Sequence, residues 1–139
     1  MELSDNSRTI IADEFKYVTK KIREEQDIAQ KLYFFSGSYA LIQRIFNLEY
    51  DSSLILVHDV LQSTYMAING RLNSIISGEE KVIKLPEELF SSLAKAVDDL
   101  GDAILNKRDS SESLQKIATI SFVTTGNGYY LYQKGILKI

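Results

Sequence analysis

The chain has no cysteine, which removes disulfides, thiolate metal sites and cysteine nucleophiles together, and fits a reducing compartment. Tryptophan is also absent, and Pro86 and His58 are the only proline and histidine. A single histidine cannot form a His-pair metal site. Long apolar runs are missing too: Leu54 to Val57 is typical, against the roughly 20 residues that a membrane-spanning helix needs. The opening residues, Met1 to Asn6, are polar and acidic and do not read as an export signal, so a cytoplasmic location is expected. Few Cys, Trp and Pro beside many Ile, Lys and Glu make the composition thermophile-like.

What remains is ordinary globular material: 139 residues, 45% hydrophobic and 25% charged, enough for one domain spanning the whole chain. From Ser7 to about Phe35, residues Ile11, Phe15, Val18, Ile22, Ala29 and Leu32 recur at helical spacing. Asp13, Lys16, Lys20, Glu24, Asp27 and Lys31 line the opposite side, Asp27 and Lys31 at pairing distance. Ser36-Gly37-Ser38 reads as an interruption before a short stretch from Tyr39 to Asn47. The strongest helix follows N-cap candidates Asp51 to Ser53 and stops at Gly78. Its seam is Leu54, Val57, Leu61, Tyr65, Ile68, Leu72 and Ile75, widened by Leu56, Val60, Met66, Ala67 and Ile76. That breadth places it at the centre of the domain, covered on two sides.

After a charged loop from Gly78 to Lys84, Pro86 suits a first helical position, with Glu87 and Glu88 in the first turn. Leu89, Leu93, Val97, Leu100 and Ile104 continue that helix to about Lys107, and Asp109 with Glu112 can cap a short helix through Ile117. From Thr119 the β-prone residues Ile120, Phe122 and Val123, the turn Gly126-Asn127-Gly128 and the run Tyr129 to Lys134 read as a hairpin. The expected architecture is mainly α, a small bundle of about four helices with residues 118–139 as a C-terminal β-hairpin or extended appendage. The alternative extends the fourth helix to about Thr125 and leaves a plain four-helix bundle.

No residue set reads as a catalytic, cofactor or metal site. His58 lies at the edge of the apolar seam and is more simply structural than catalytic. Asp98 and Asp102 share a helix face beside Asp99, but a hard cation needs further oxygen ligands. Gly126-Asn127-Gly128 lacks the spacing and lysine of a phosphate loop, and Ser36-Gly37-Ser38 has no histidine partner for a nucleophile elbow. Charge says more: residues 1–103 carry 11 basic and 17 acidic side chains, whereas 104–139 carry 5 and 2. Lys107, Arg108, Lys116, Lys134 and Lys138, interleaved with Tyr129, Tyr130 and Tyr132, therefore form the candidate interaction segment. It suits a protein partner or, by stacking and phosphate contact, nucleic acid. Tyrosines packing an appendage, and lysines guarding its edge, would account for the same residues.

Ala67 to Ile76 followed by Leu85-Pro86-Glu87-Glu88-Leu89-Phe90 resembles the central and following helices of GINS replication-complex subunits. Gly128-Tyr129-Tyr130-Leu131-Tyr132-Gln133-Lys134-Gly135 is similar to the pattern of their small β-domain, with Ile136 where an acidic residue usually follows. The resemblance implies a non-enzymatic scaffold in a replicative assembly. The sequence thus points to a non-catalytic interaction or scaffold subunit. A nucleic-acid-associated protein, GINS-like or ribonucleoprotein, and a self-assembling coat-like bundle are the alternatives.

Overall fold

Apolar residues spaced by three and four shape most of the described chain into helices. The structure, a computed structural model, describes residues 3–78 and 83–139. Helix α1 spans Asp5–Glu24, α2 Ile28–Leu48, α3 Ser53–Ser77, α4 Leu89–Leu105, α5 Ser111–Phe122 and α6 Gly126–Gln133. Helix α1 packs on α2 and α4, α3 packs on α2 and α5, and α5 packs on α4, which closes a five-helix ring. Phe15 and Phe35 are fully buried at its centre among Ile11, Leu61, Leu93 and Leu100. The interior is aliphatic and aromatic, and burying such side chains drives assembly of the ring.

The helix expected from Ser7 to Phe35 is in fact two. Helix α1 ends at Glu24 with Lys21 and Arg23 in its last turn, where the helix dipole favours cations, and the Asp27 carboxylate caps α2 by accepting the Ala29 N–H at 3.2 Å. Lys31 does not pair with Asp27; its ammonium donates to the carbonyl of Ile22 and ties the two helix ends together. The expected interruption at Ser36-Gly37-Ser38 lies inside α2. Gly37 faces α1, where a Cβ would stand 3.2 Å from Glu14 Oε1, the end of a flexible side chain.

Helix α3 is not central. It is buried along the single line Leu54, Val57, Leu61, Thr64 and Ile68, while Leu56, Met66 and Ile76 are 58%, 64% and 73% exposed. The deepest helix is α4, with nine buried residues, because it lies between α1 and α5. Pro86 precedes α4 instead of starting it, its carbonyl accepting the Leu89 N–H at 3.1 Å. Most of the charged loop from Gly78 to Lys84, residues 79–82, lies outside the described residues.

The C-terminal β-hairpin is not formed, and no described residue lies in a strand. Helix α5 runs through Phe122, and Gly126-Asn127-Gly128 opens α6, whose N-cap hydroxyl on Thr125 accepts the Gly128 N–H at 3.2 Å. A tight hairpin turn needs positive φ at its centre. Among the described glycines only Gly78 and Gly135 have it. Gly128 instead permits contact, since a Cβ there would overlap the Phe122 carbonyl. Gly135, at φ 75°, ends α6 as its N–H meets the Tyr132 carbonyl and the Ile136 N–H meets the Leu131 carbonyl, each at 3.0 Å. Leu137 and Ile139 then fold back on the core.

Overpacking at a closed site costs roughly 1–3 kcal/mol. In Gly128→Ala that cost should appear as release of α6, raising amide exchange across residues 126–139 about tenfold or more while α1 and α4 stay protected. Unchanged protection of α6 would contradict this account of the corner.

Candidate interaction surface

The structure distributes the eight candidate residues over three places. Lys107 and Arg108 form the corner between α4 and α5. Lys107 adopts a left-handed backbone, φ 57°, and its ammonium meets Asp5 of α1 at 3.1 Å. Arg108 flanks a small acidic hollow with Asp102, Asp109 and Glu112. Lys116 pairs with Glu112 at 3.4 Å along α5. With Lys138 it edges a groove of about 520 Å³ between α4 and α5, floored by Ala96 and Ile120. Tyr129, Tyr130, Tyr132 and Lys134 share α6 and its cap.

These groups do not form one basic face, because carboxylates answer two of the five cations. The tyrosines do interact: Tyr129 and Tyr132 stack with centroids 6.2 Å apart, and the Lys134 ammonium lies 5.5 Å from the Tyr130 ring centre. Tyr130 is 54% exposed, while Tyr132 donates its hydroxyl to Glu88 at the start of α4. That bond makes the Tyr132 phenol harder to ionise, pushing its pKa up to about 12, and holds the Glu88 carboxyl below its ordinary range. In Glu88→Gln the Tyr132 phenol should ionise nearer the ordinary 10.0, seen as a downward shift in one component of the ultraviolet tyrosinate titration. A titration identical to wild type would remove the α6 anchor.

Groups considered for catalysis have structural surroundings. His58 sits between α2 and α3 with its Nδ1 3.4 Å from Asp59 and its ring edge-on to Tyr39. Its Nε2 is buried without a hydrogen-bond partner. Asp98 accepts the buried Thr19 hydroxyl at 2.5 Å and the Arg23 guanidinium at 2.7 Å, which joins α4 to α1. Asp99 is paired with Lys95 at 3.1 Å. Among the described residues, no three His, Asp or Glu side chains gather where they could hold a metal ion.

Two features were not anticipated. One is a clasp on the start of α1: Glu49 accepts the Ser4 N–H at 2.8 Å, the Ser4 hydroxyl at 3.0 Å and the Ser7 hydroxyl, while Asp51 accepts the Leu3 N–H at 3.1 Å. Hydrogen bonds from Ser7 and then Ser4 hold the Glu49 carboxyl low. For Asp51, burial pushes upward, but the Ser53 and Leu3 hydrogen bonds outweigh it. Both carboxyls thus bind protons more weakly folded than unfolded, so their contribution is present above the unfolded values near 4 and is lost as pH falls through the folded ones. Acid should therefore loosen residues 3–8 in wild type, and Glu49→Gln with Asp51→Asn should remove that pH dependence. An N-terminal amide-exchange profile indifferent to both changes would refute the clasp. Alternation along Leu48-Glu49-Tyr50-Asp51 was the available signal, with acids turned inward and Leu48 and Tyr50 outward at 81% and 58% exposure.

The other is an aromatic face outside the α1–α2 pair. Tyr17 and Tyr33 each meet Phe34 edge-on, at 6.1 and 5.4 Å, and the Lys21 ammonium lies 5.3 Å from the Phe34 ring centre.

The chain matches no protein-family model, and neither the curated proteins nor the solved structures yield a significant match. The resemblance to GINS subunits gains nothing from these comparisons. The residues similar to their β-domain lie in α6 and its cap. No described helix is long and apolar enough to cross a membrane.

Proposed function

We propose that this chain is a non-catalytic interaction subunit of a larger cytoplasmic assembly, and that α3 is its principal contact for another protein. The observation that carries this reading is the mismatch on α3, which is apolar over more than half its circumference yet buried along one line. Covering Leu56, Met66 and Ile76 would contribute about 1–2 kcal/mol each. Methionine is among the residue types enriched at protein interfaces. A nucleic-acid role has narrower support in Tyr130, exposed beneath Lys134 and suited to base stacking.

Purification of the tagged protein from its native cells tests the reading. A stoichiometric partner should co-purify with wild type and be lost from the double variant Leu56→Gln, Met66→Gln, whose thermal unfolding should move by no more than a few degrees. Wild-type protein emerging without any stoichiometric partner, or a double variant that retains it, would overturn the proposal.

A further inference from the structure

Helices α1 to α5 close on one another without help from residues 126–139. Helix α6 and its tail lie on the outside of that ring, and Gly128 is the one buried residue among them. Tyr132, Leu137 and Ile139 are half-buried against the core, while Tyr130, Gln133, Lys134 and Ile136 are exposed. The amides from Lys134 to Leu137 bond to carbonyls of Tyr130, Leu131 and Tyr132, within the same segment. A segment with so little buried side chain and with self-contained backbone bonds belongs to the low-stability end of a fold, which opens while the remainder stays closed.

The path of the segment shows what it covers. On α4 and its cap, Glu88, Ser92 and Ala96 recur at steps of four along one face. Glu88 accepts the Tyr132 hydroxyl, and Ser92 and Ala96 share the groove between α4 and α5 with Lys138 and Ile139. The tail therefore follows that face from Glu88 onward, and Ile139 lines the groove beside Ala96 and Ile120, each 2% exposed. Among the described residues, the Tyr132 hydroxyl makes the one side-chain hydrogen bond between 126–139 and the rest of the chain, and no ion pair adds to it.

We infer that residues 126–139 form a strap that opens as a unit from the closed five-helix ring, is latched by the Tyr132–Glu88 hydrogen bond, and so governs access to the apolar floor of the α4–α5 groove. In the closed form the occupant of the groove is this segment of the chain itself. The strap uses no residue of the α3 contact face, so either reading can fail without the other.

Amide exchange on the unaltered full chain is the first test. The amides from Lys134 to Leu137 should exchange together, roughly a hundredfold faster than those of α4. Because the chain has no cysteine, a single introduced thiol provides the second test. Ala96→Cys places it on the groove floor and Ala94→Cys in the ring interior, where Ala94 is fully buried. Each is followed by its rate of reaction with dithiobis-nitrobenzoate. Adding Tyr132→Phe removes the latch hydroxyl and should speed both strap exchange and labelling at position 96 by one common factor. That factor should be about threefold to tenfold, the worth of one hydrogen bond, with labelling at position 94 unchanged. Strap amides as well protected as those of α4, a thiol at position 96 that reacts at the rate of a free thiol before the latch is removed, or equal acceleration at positions 94 and 96 would each overturn the inference.

Discussion

The approach of α1 to α4 is the constraint on which the remaining architecture depends. Gly101 lies against Phe15, where a Cβ would stand 3.3 Å from the Phe15 Cβ, a tight fit that brings the two helices close. Phe15 is thereby seated in the core at full burial. One turn on, Thr19 and Arg23 grip Asp98, and near the other end Arg8 donates to the Ile104 carbonyl at 2.8 Å. These contacts run in opposite order along the two helices, so the pair is antiparallel and its register is set. One side of α1 is committed to α4 and another to α2, where Glu14 lies over Gly37 and Lys21 over Phe34, and Tyr17 is left facing outward.

The same geometry explains why α3 is underused. Ring closure gives it two neighbours, α2 and α5, which cover Leu54, Val57, Leu61 and Ile68. No described helix reaches Leu56 or Met66. The fold therefore has two apolar exteriors, one on α3 and one on α1 with α2.

Much of the helical content was legible from the sequence because periodicity depends on nearest neighbours along a helix. The seams of α1, α3 and α4 and the stop at Gly78 follow directly from it. What escaped depended on contacts that helical periodicity does not report. Gly37 and Gly128 look like turn glycines until Glu14 and the Phe122 carbonyl are seen beside them. The break at Glu24 lacks glycine and proline and is set by the Asp27 cap and by Lys31 reaching back to Ile22. Ile120 and Val123 are β-prone residues whose burial against the bundle outweighs that preference. Among the candidate residues, composition identified a basic, tyrosine-rich segment. It could not show that Lys107 and Lys116 would meet Asp5 and Glu112.

The central claim is that the outer face of α3 is covered when the protein works. Hydroxyl-radical footprinting of the native assembly beside the isolated, dilute chain tests it directly, because Met66 is a reactive side chain and is 64% exposed in the free chain. Strong protection of Met66 in the assembly, with Tyr130 labelled about equally in both, is the expected result. Equal oxidation of Met66 in the two samples would contradict the account.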